Sequence, residues 1–269
     1  MLSAMSASSS KRPATVLNFA LVGEVRSGAA VVQGVINQLG EAVCHLNLFN
    51  PSEAIRRIAH EEYFGPTRDP ARLPEWFTPE TNPNRYLANQ VFDNPLHDER
   101  VIGVRTPYAA VRQYELYDLF KQRTHEGDFC VVHVLRNPIA CFVSKKQAEK
   151  TQRWFVGGGE PLSHVRPSAI RLDSAELTAF VWDWESTRAK VQASSEDQLL
   201  VRYKDLTLHF ESEMQRVFEF LDLSPRRIPR PNIRRLRNRS MQERIINYDE
   251  LLKSGPSIVR QHLAAEDLF

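Results

Sequence analysis

Apolar residues fall along this chain in two alternating rhythms. Short unbroken runs at Val16–Val22 (VLNFALV) and Phe129–Leu135 (FCVVHVL) read as buried strands. Ala42–Phe49, Val101–Arg105 and Leu199–Tyr203 read as three more. Between them the spacing changes to that of helices. In Gly28–Leu39 the apolar positions are Val31, Val32, Val35, Ile36 and Leu39, and Gly40 supplies a stop. Helices are also expected over Pro51–Tyr63, Tyr86–Phe92, Val111–Gln122, Ser174–Gln192 and Met241–Leu252. In Leu208–Leu221, Met214, Val217, Phe218 and Leu221 share one face. Asn137-Pro138 opens a further helix directly after the fourth strand, with Asn as N-cap and Pro at the first helical position.

Strands that alternate with helices predict an α/β fold: a P-loop-like parallel sheet with right-handed crossovers and helices on both faces. No repeat or domain boundary interrupts the pattern, so a single domain is expected over 14–269. Residues 1–13 are Ser-rich and polar and read as a disordered lead. A Pro- and charge-rich stretch near 65–97, with Trp76 and Phe77 embedded, reads as a lid-like insertion. In such sheets ligands bind beyond the carboxyl ends of the strands. The residues just after each strand therefore matter most.

The net charge of +2 over 269 residues provides no global field for a polyanion, so any basic site is local. Arg226, Arg227, Arg230, Arg234, Arg235, Arg237, Arg239 and Arg244 crowd one segment. No aromatic interleaving or nucleic-acid motif accompanies them, so they read as a solvated face and no nucleic-acid partner is expected. Cys44, Cys130 and Cys141 lie in or beside apolar runs without metal spacing, which reads as buried reduced thiols in a cytoplasmic protein. No signal-peptide order is present. The apolar run at 16–22 is far shorter than the roughly 20 residues a membrane span needs. Trp182 and Trp184 read as core, and Trp154 as a cleft wall.

After the first strand comes Gly23-Glu-Val-Arg-Ser-Gly28, four residues between two glycines and then a helix. Backbone amides in such a turn form a nest for an anion, and the helix N-terminus adds partial positive charge. A nucleotide-hydrolysing loop would continue with Lys and a magnesium-holding hydroxyl. Here Ala29-Ala30 follow, which disfavours an ATPase or a magnesium-dependent kinase, and no metal is expected. Arg26 instead puts a permanent cation inside the loop. After the fourth strand, Arg136-Asn-Pro138 is followed by Ser144, two turns along the next helix. Arg136 and Ser144 are placed to share one phosphate. The two motifs put two anion sites on one edge of one sheet.

At these motifs the chain resembles the sulfotransferases that use 3′-phosphoadenosine 5′-phosphosulfate, most closely bacterial members of the carbohydrate and nodulation-factor type. Arg26-Ser-Gly28 is similar to the family's 5′-phosphosulfate loop, R-S-G-[ST]-[ST], and Arg136-Asn-Pro138 to Ser144 is similar to its 3′-phosphate motif, R-[ND]-P-x5-S. Cys44-His-Leu-Asn-Leu-Phe-Asn-Pro51, Asn82-Pro83 with Tyr86-Leu87, Val101–Arg105, Leu200–Leu206 with Phe218–Leu223, and Ile245–Leu251 resemble later family segments in order.

The resemblance implies the sulfotransferase fold and metal-free, in-line sulfuryl transfer from that donor to an acceptor hydroxyl, on a small molecule or glycan such as a sugar or glycolipid. It implies Arg26, Ser27, Gly28, Ala29 and Ala30 at the 5′ end of the donor and Arg136 with Ser144 at the 3′-phosphate. A tail residue, Arg235 or Arg237, would join the latter pair. His45 is the expected base, and Arg26 with Arg105 the expected positive field; the family often has Lys where Arg105 stands. Three positions depart from the pattern: the loop hydroxyls are Ala29 and Ala30, and the family's glutamate is Asn47. A catalytically impaired, nucleotide-binding scaffold on the same fold is therefore the alternative. Glu24 is open to two readings, a substitute base or a surface group, and His133 reads as core. The oligomeric state is not legible.

Overall fold

The computed structural model describes residues 16–46, 48–49, 83–92, 99–152, 168–231 and 240–265. Five strands form one parallel sheet: β1 (Leu17–Gly23), β2 (Ala42–His45), β3 (Val101–Pro107), β4 (Phe129–Leu135) and β5 (Gln198–Arg202). Their spatial order is β2-β3-β1-β4-β5, so the chain winds outward from β1 in both directions. β1 and β4 are adjacent, and their carboxyl ends carry the two predicted anion motifs.

Strand alternation divides the core by face. Phe19 and Leu21 of β1 meet α1 (Ala29–Ile36) and the later helix α8 (Phe210–Phe220), through Val32, Val35, Ile36, Met214, Val217 and Phe218. Ala20 and Val22 face the other way. They pack with α3 (Tyr108–Gln113), α4 (Tyr117–Glu126) and the long α6 (Ser174–Ser194) through Val111, Phe120, Trp184 and Val191. A fully buried side chain of this size contributes roughly 1.5–3 kcal/mol, so both faces need a helical layer.

A third cluster packs α5 (Pro138–Thr151) on α6, with α9 (Met241–Arg244), α10 (Tyr248–Ser254) and α11 (Ser257–Ala264) over them. Here Ile170 bridges Ile245 in parallel, and Asn247 pairs with both backbone groups of Leu172.

Several elements differ from the periodicity. Val111–Gln122 is two helices, α3 and α4, because Glu115 turns through φ 48° between them. The segment before α8 is a separate short helix, α7 (Tyr203–Leu208), broken at His209. Met241–Leu252 divides into α9 and α10 at Ile245, which is spent on the bridge to Ile170. The second strand stops at His45. Of the expected lid only 83–92 is described, as α2 (Pro83–Tyr86) running into a π-helical turn, Leu87–Phe92. The lead 1–13, the helix at 51–63, Trp76, Phe77 and Trp154 lie outside the described residues. Cys44, Cys130 and Cys141 are all buried, Trp184 is core, and Trp182 is exposed, contrary to its expected burial. Trp182 and Trp184 point to opposite sides because α6 meets the core on one side only. Among the described residues, no helix is long and apolar enough to cross a membrane.

Candidate functional site

β1 ends at Gly23, and the chain turns through residues 24–28 into α1. Arg26 and Gly28 take left-handed conformations, at φ 74° and 102°. Left-handed residues two apart curve the backbone into the concave amide arrangement that receives anions. The amide of Ser27 donates to the carbonyl of Glu24 at 3.0 Å and closes the turn. Gly28 is the N-cap of α1 and offers no side chain to cap it, so the first amides of the helix are left to another acceptor.

Gly28 is required twice. Its φ suits glycine, and a Cβ there would meet the Tyr203 ring at 2.8 Å. Beside it Ser27 is 1% exposed, and its hydroxyl has no hydrogen-bond partner among the described residues. Buried hydroxyls ordinarily find a partner, so Ser27 is a candidate donor to a ligand.

The second motif is assembled by a cap. The Asn137 carboxamide oxygen accepts from the amides of Ile139 and Ala140 at 2.9 and 3.2 Å, with Pro138 in the first turn of α5. Its Nδ2 donates to the carbonyl of His262 in α11 at 2.8 Å, which ties the motif to the C-terminal helices. Arg136, at the end of β4, donates from Nη1 to the carbonyl of Arg26 at 2.7 Å and lies 4.1 Å over the Tyr203 ring. The Arg26 Nε donates to the Ser144 hydroxyl at 3.0 Å. The sequence put Arg136 with Ser144; here Arg26, expected at the other end of the ligand, holds the serine, and Arg136 holds the loop.

A third cation joins them from the tail. Arg244, at the end of α9, donates to Gln147 Oε1 at 2.8 Å. Its pKa is lowered to about 10, first by burial and then by Arg136 and Arg26. Arg26 is lowered too, by burial and then by Arg136. These two depressions mark cations gathered in one partly dry place. The sequence counted Arg244 only as one of the tail arginines. It immediately precedes Ile245–Leu251, and only the docking of that segment on Ile170 and Leu172 separates it from the others. Arg235 and Arg237 lie outside the described residues.

The sequence-predicted base and field residues are not brought together. His45 is 0% exposed and pairs in register with Val104, which pairs with Ala20 of β1. That puts it two strands across and three residues short of the end of β1, about 14 Å from Gly23 by standard sheet spacings. Arg105 lies in register with Leu21 and on the opposite face from His45, the face of Cys44. Burial pushes the Cys44 thiol up to about 12, with Arg105 opposing the shift. Asn47 lies outside the described residues. His133 is buried on the α3 face, 2.5 Å from the Tyr108 hydroxyl and 3.3 Å from Gln198. Burial lowers its pKa to about 4, so it is a neutral core histidine. Glu24 is buried, not a surface group. Among the described residues no cluster of His, Cys, Asp and Glu is arranged to hold a metal ion.

A five-stranded parallel sheet, with one arginine in the loop after β1 and another closing β4, defines a P-loop-like α/β fold. The family model described as "Sulfotransferase family" matches residues 19–226, and the chain belongs to that family. Among solved structures it is similar to a sulfotransferase from Alicyclobacillus acidocaldarius, at 14% identity and TM-score 0.43, covering 79% of this chain and 83% of that one. It is also similar to sulfotransferase STF9 from Mycobacterium avium, at 13% identity and TM-score 0.37, covering 79% of this chain and 65% of that one. No curated protein matches the chain.

Proposed function

We propose that this protein transfers a sulfuryl group from 3′-phosphoadenosine 5′-phosphosulfate to an acceptor hydroxyl on a small molecule or glycan, such as a sugar or glycolipid. The observation that carries the proposal is the gathering of Arg26, Arg136 and Arg244, with Arg26 bonded to Ser144, beside an amide nest. A donor with phosphate-type groups at both ends of one nucleoside matches a nest and a cation cluster held side by side.

The amides of residues 28–30 and the Ser27 hydroxyl receive the 5′-phosphosulfate; Ala29 and Ala30 contribute backbone only. Arg136, Ser144 and Arg244 receive the 3′-phosphate, and Arg26 lies between the two groups. Arg235 and Arg237 remain candidates for the same phosphate. Sulfuryl transfer, like phosphoryl transfer, relies on in-line positioning and on charge stabilisation at the leaving oxygen. Arg26 and the loop amides supply that stabilisation, and the chemistry calls for no metal. The buried thiols suit a reducing, cytoplasmic compartment.

The test is turnover of the labelled donor against a panel of hydroxylated sugars and glycolipids, without added metal. A sulfated product supports the proposal. Tight binding of the donor with neither transfer nor donor hydrolysis would contradict it and leave a nucleotide-binding scaffold.

A further inference from the structure

The edge of the sheet carries a buried carboxyl that donor binding does not use. Glu24 follows β1 directly and lies two residues before Arg26, on the loop itself. It is 6% exposed. Alternation along β1 continues the face of Ala20 and Val22, so Glu24 sits on the α3 and α6 side. Arg26 and Arg136 lie toward α5 and Tyr203.

One carboxylate oxygen is fixed, because Oε1 accepts from the Val25 amide at 2.8 Å. Its other oxygen, Oε2, has no hydrogen bond among the described residues. The charged and titratable groups that face it come from three helices: Arg112 and Tyr108 of α3, Lys145 of α5 and Asp183 of α6. Arg112 is itself held by Thr187 at 3.0 Å and by Asp183 at 3.6 Å. Burial outweighs the two cations and holds the Glu24 carboxyl above the ordinary carboxylate range.

A carboxylate on a loop that holds an anion opposes that binding by Coulomb repulsion. Its orientation, with one oxygen pinned and one open, suits a group that accepts a proton. The other candidates are less suited: Asn47 cannot take a proton, and His45 lies well below the sheet edge.

We propose that Glu24 is the general base of the transfer, and that the acceptor enters on the α3 and α6 side of the loop. The proposal rests on the donor lying at the first loop. The acceptor O–H bond breaks and its proton passes to Glu24 Oε2. The acceptor oxygen bonds to sulfur as the sulfur–oxygen bond to the 5′-phosphate breaks. That electron pair leaves on the 5′-phosphate, against Arg26 and the loop amides, and Glu24 afterwards releases its proton to water.

The test compares the wild-type protein with Glu24→Gln and Glu24→Asp, measuring kcat and KM across pH and, separately, affinity for adenosine 3′,5′-bisphosphate. Glu24→Gln is expected to lower kcat about 100-fold or more and to lose the acid limb of the pH profile. Its nucleotide affinity should stay equal or rise, since a like charge is removed. Glu24→Asp should keep a titrating limb at reduced kcat. A Glu24→Gln protein that binds nucleotide normally and keeps both kcat and the acid limb would overturn the proposal. Failure of all three proteins to bind the nucleotide would overturn the donor reading, and this proposal with it.

Discussion

The Arg26 guanidinium donates to the Ser144 hydroxyl at 3.0 Å, joining residues 118 positions apart. The bond ties the loop after β1 to the helix after β4, and Arg136 returns the link by donating to the Arg26 carbonyl at 2.7 Å. The two anion motifs are thus one mechanical unit. Arg136→Ala is expected to weaken adenosine 3′,5′-bisphosphate binding about 10- to 100-fold, the worth of one charge-assisted hydrogen-bond set. Arg136→Lys should recover little of it, because lysine lacks the planar fork and its stacking on Tyr203. Titration calorimetry checks both variants.

Arg244→Gln carries the claim that the tail reaches the site. Affinity for the bisphosphate should fall about 10-fold, while affinity for adenosine 5′-monophosphate, which lacks the 3′ group, should change little. Equal losses for both ligands would remove Arg244 from the 3′-phosphate.

Gly28→Ala sets a methyl group 2.8 Å from the Tyr203 ring on a backbone at φ 102°. A loss of about 1–3 kcal/mol in urea unfolding is expected, together with weakened nucleotide binding. Gly34→Ala, in the middle of α1 with open space around its Cβ position, should leave stability equal or higher.

Acid stability provides a separate check on the core. His133 has a folded pKa of about 4 against an ordinary value of 6.5, so the unfolded chain binds the proton more readily between those values. Its contribution is intact above pH 6.5 and is lost as pH falls toward 4, on the order of 3 kcal/mol at most. Glu24 acts in the opposite sense, because its folded pKa is raised and it favours the folded state as pH falls. The difference between wild type and His133→Gln across this window isolates the histidine: the variant should lose less stability on acidification.

The strands and the two anion motifs were legible because their signals are local. β4 is an unbroken apolar run, and Asn137-Pro138 is a cap followed by a first-turn proline, so both ends of the motif can be read without the fold. Gly23–Gly28 is likewise contained in six residues. What could not be read depends on tertiary packing. The break at Glu115 fits α3 and α4 to the sheet and leaves no gap in the apolar pattern. Arg244 has no local mark to separate it from the other arginines; the Ile170–Ile245 bridge selects it, and that pairing spans 75 residues. His45 was attractive by chemistry, but β2 pairs low on β3, and register across two strands is not encoded in either strand alone. The burial of Glu24 follows from three helices brought together from distant parts of the chain.

The most direct test of the central claim is a calorimetric titration of the wild-type protein with adenosine 3′,5′-bisphosphate, with adenosine 5′-monophosphate as the comparison. A dissociation constant of about 10 μM or tighter for the bisphosphate, and one at least about 10-fold weaker for the monophosphate, is the predicted result. No binding of the bisphosphate at about 1 mM, a free energy weaker than roughly −4 kcal/mol, would contradict it.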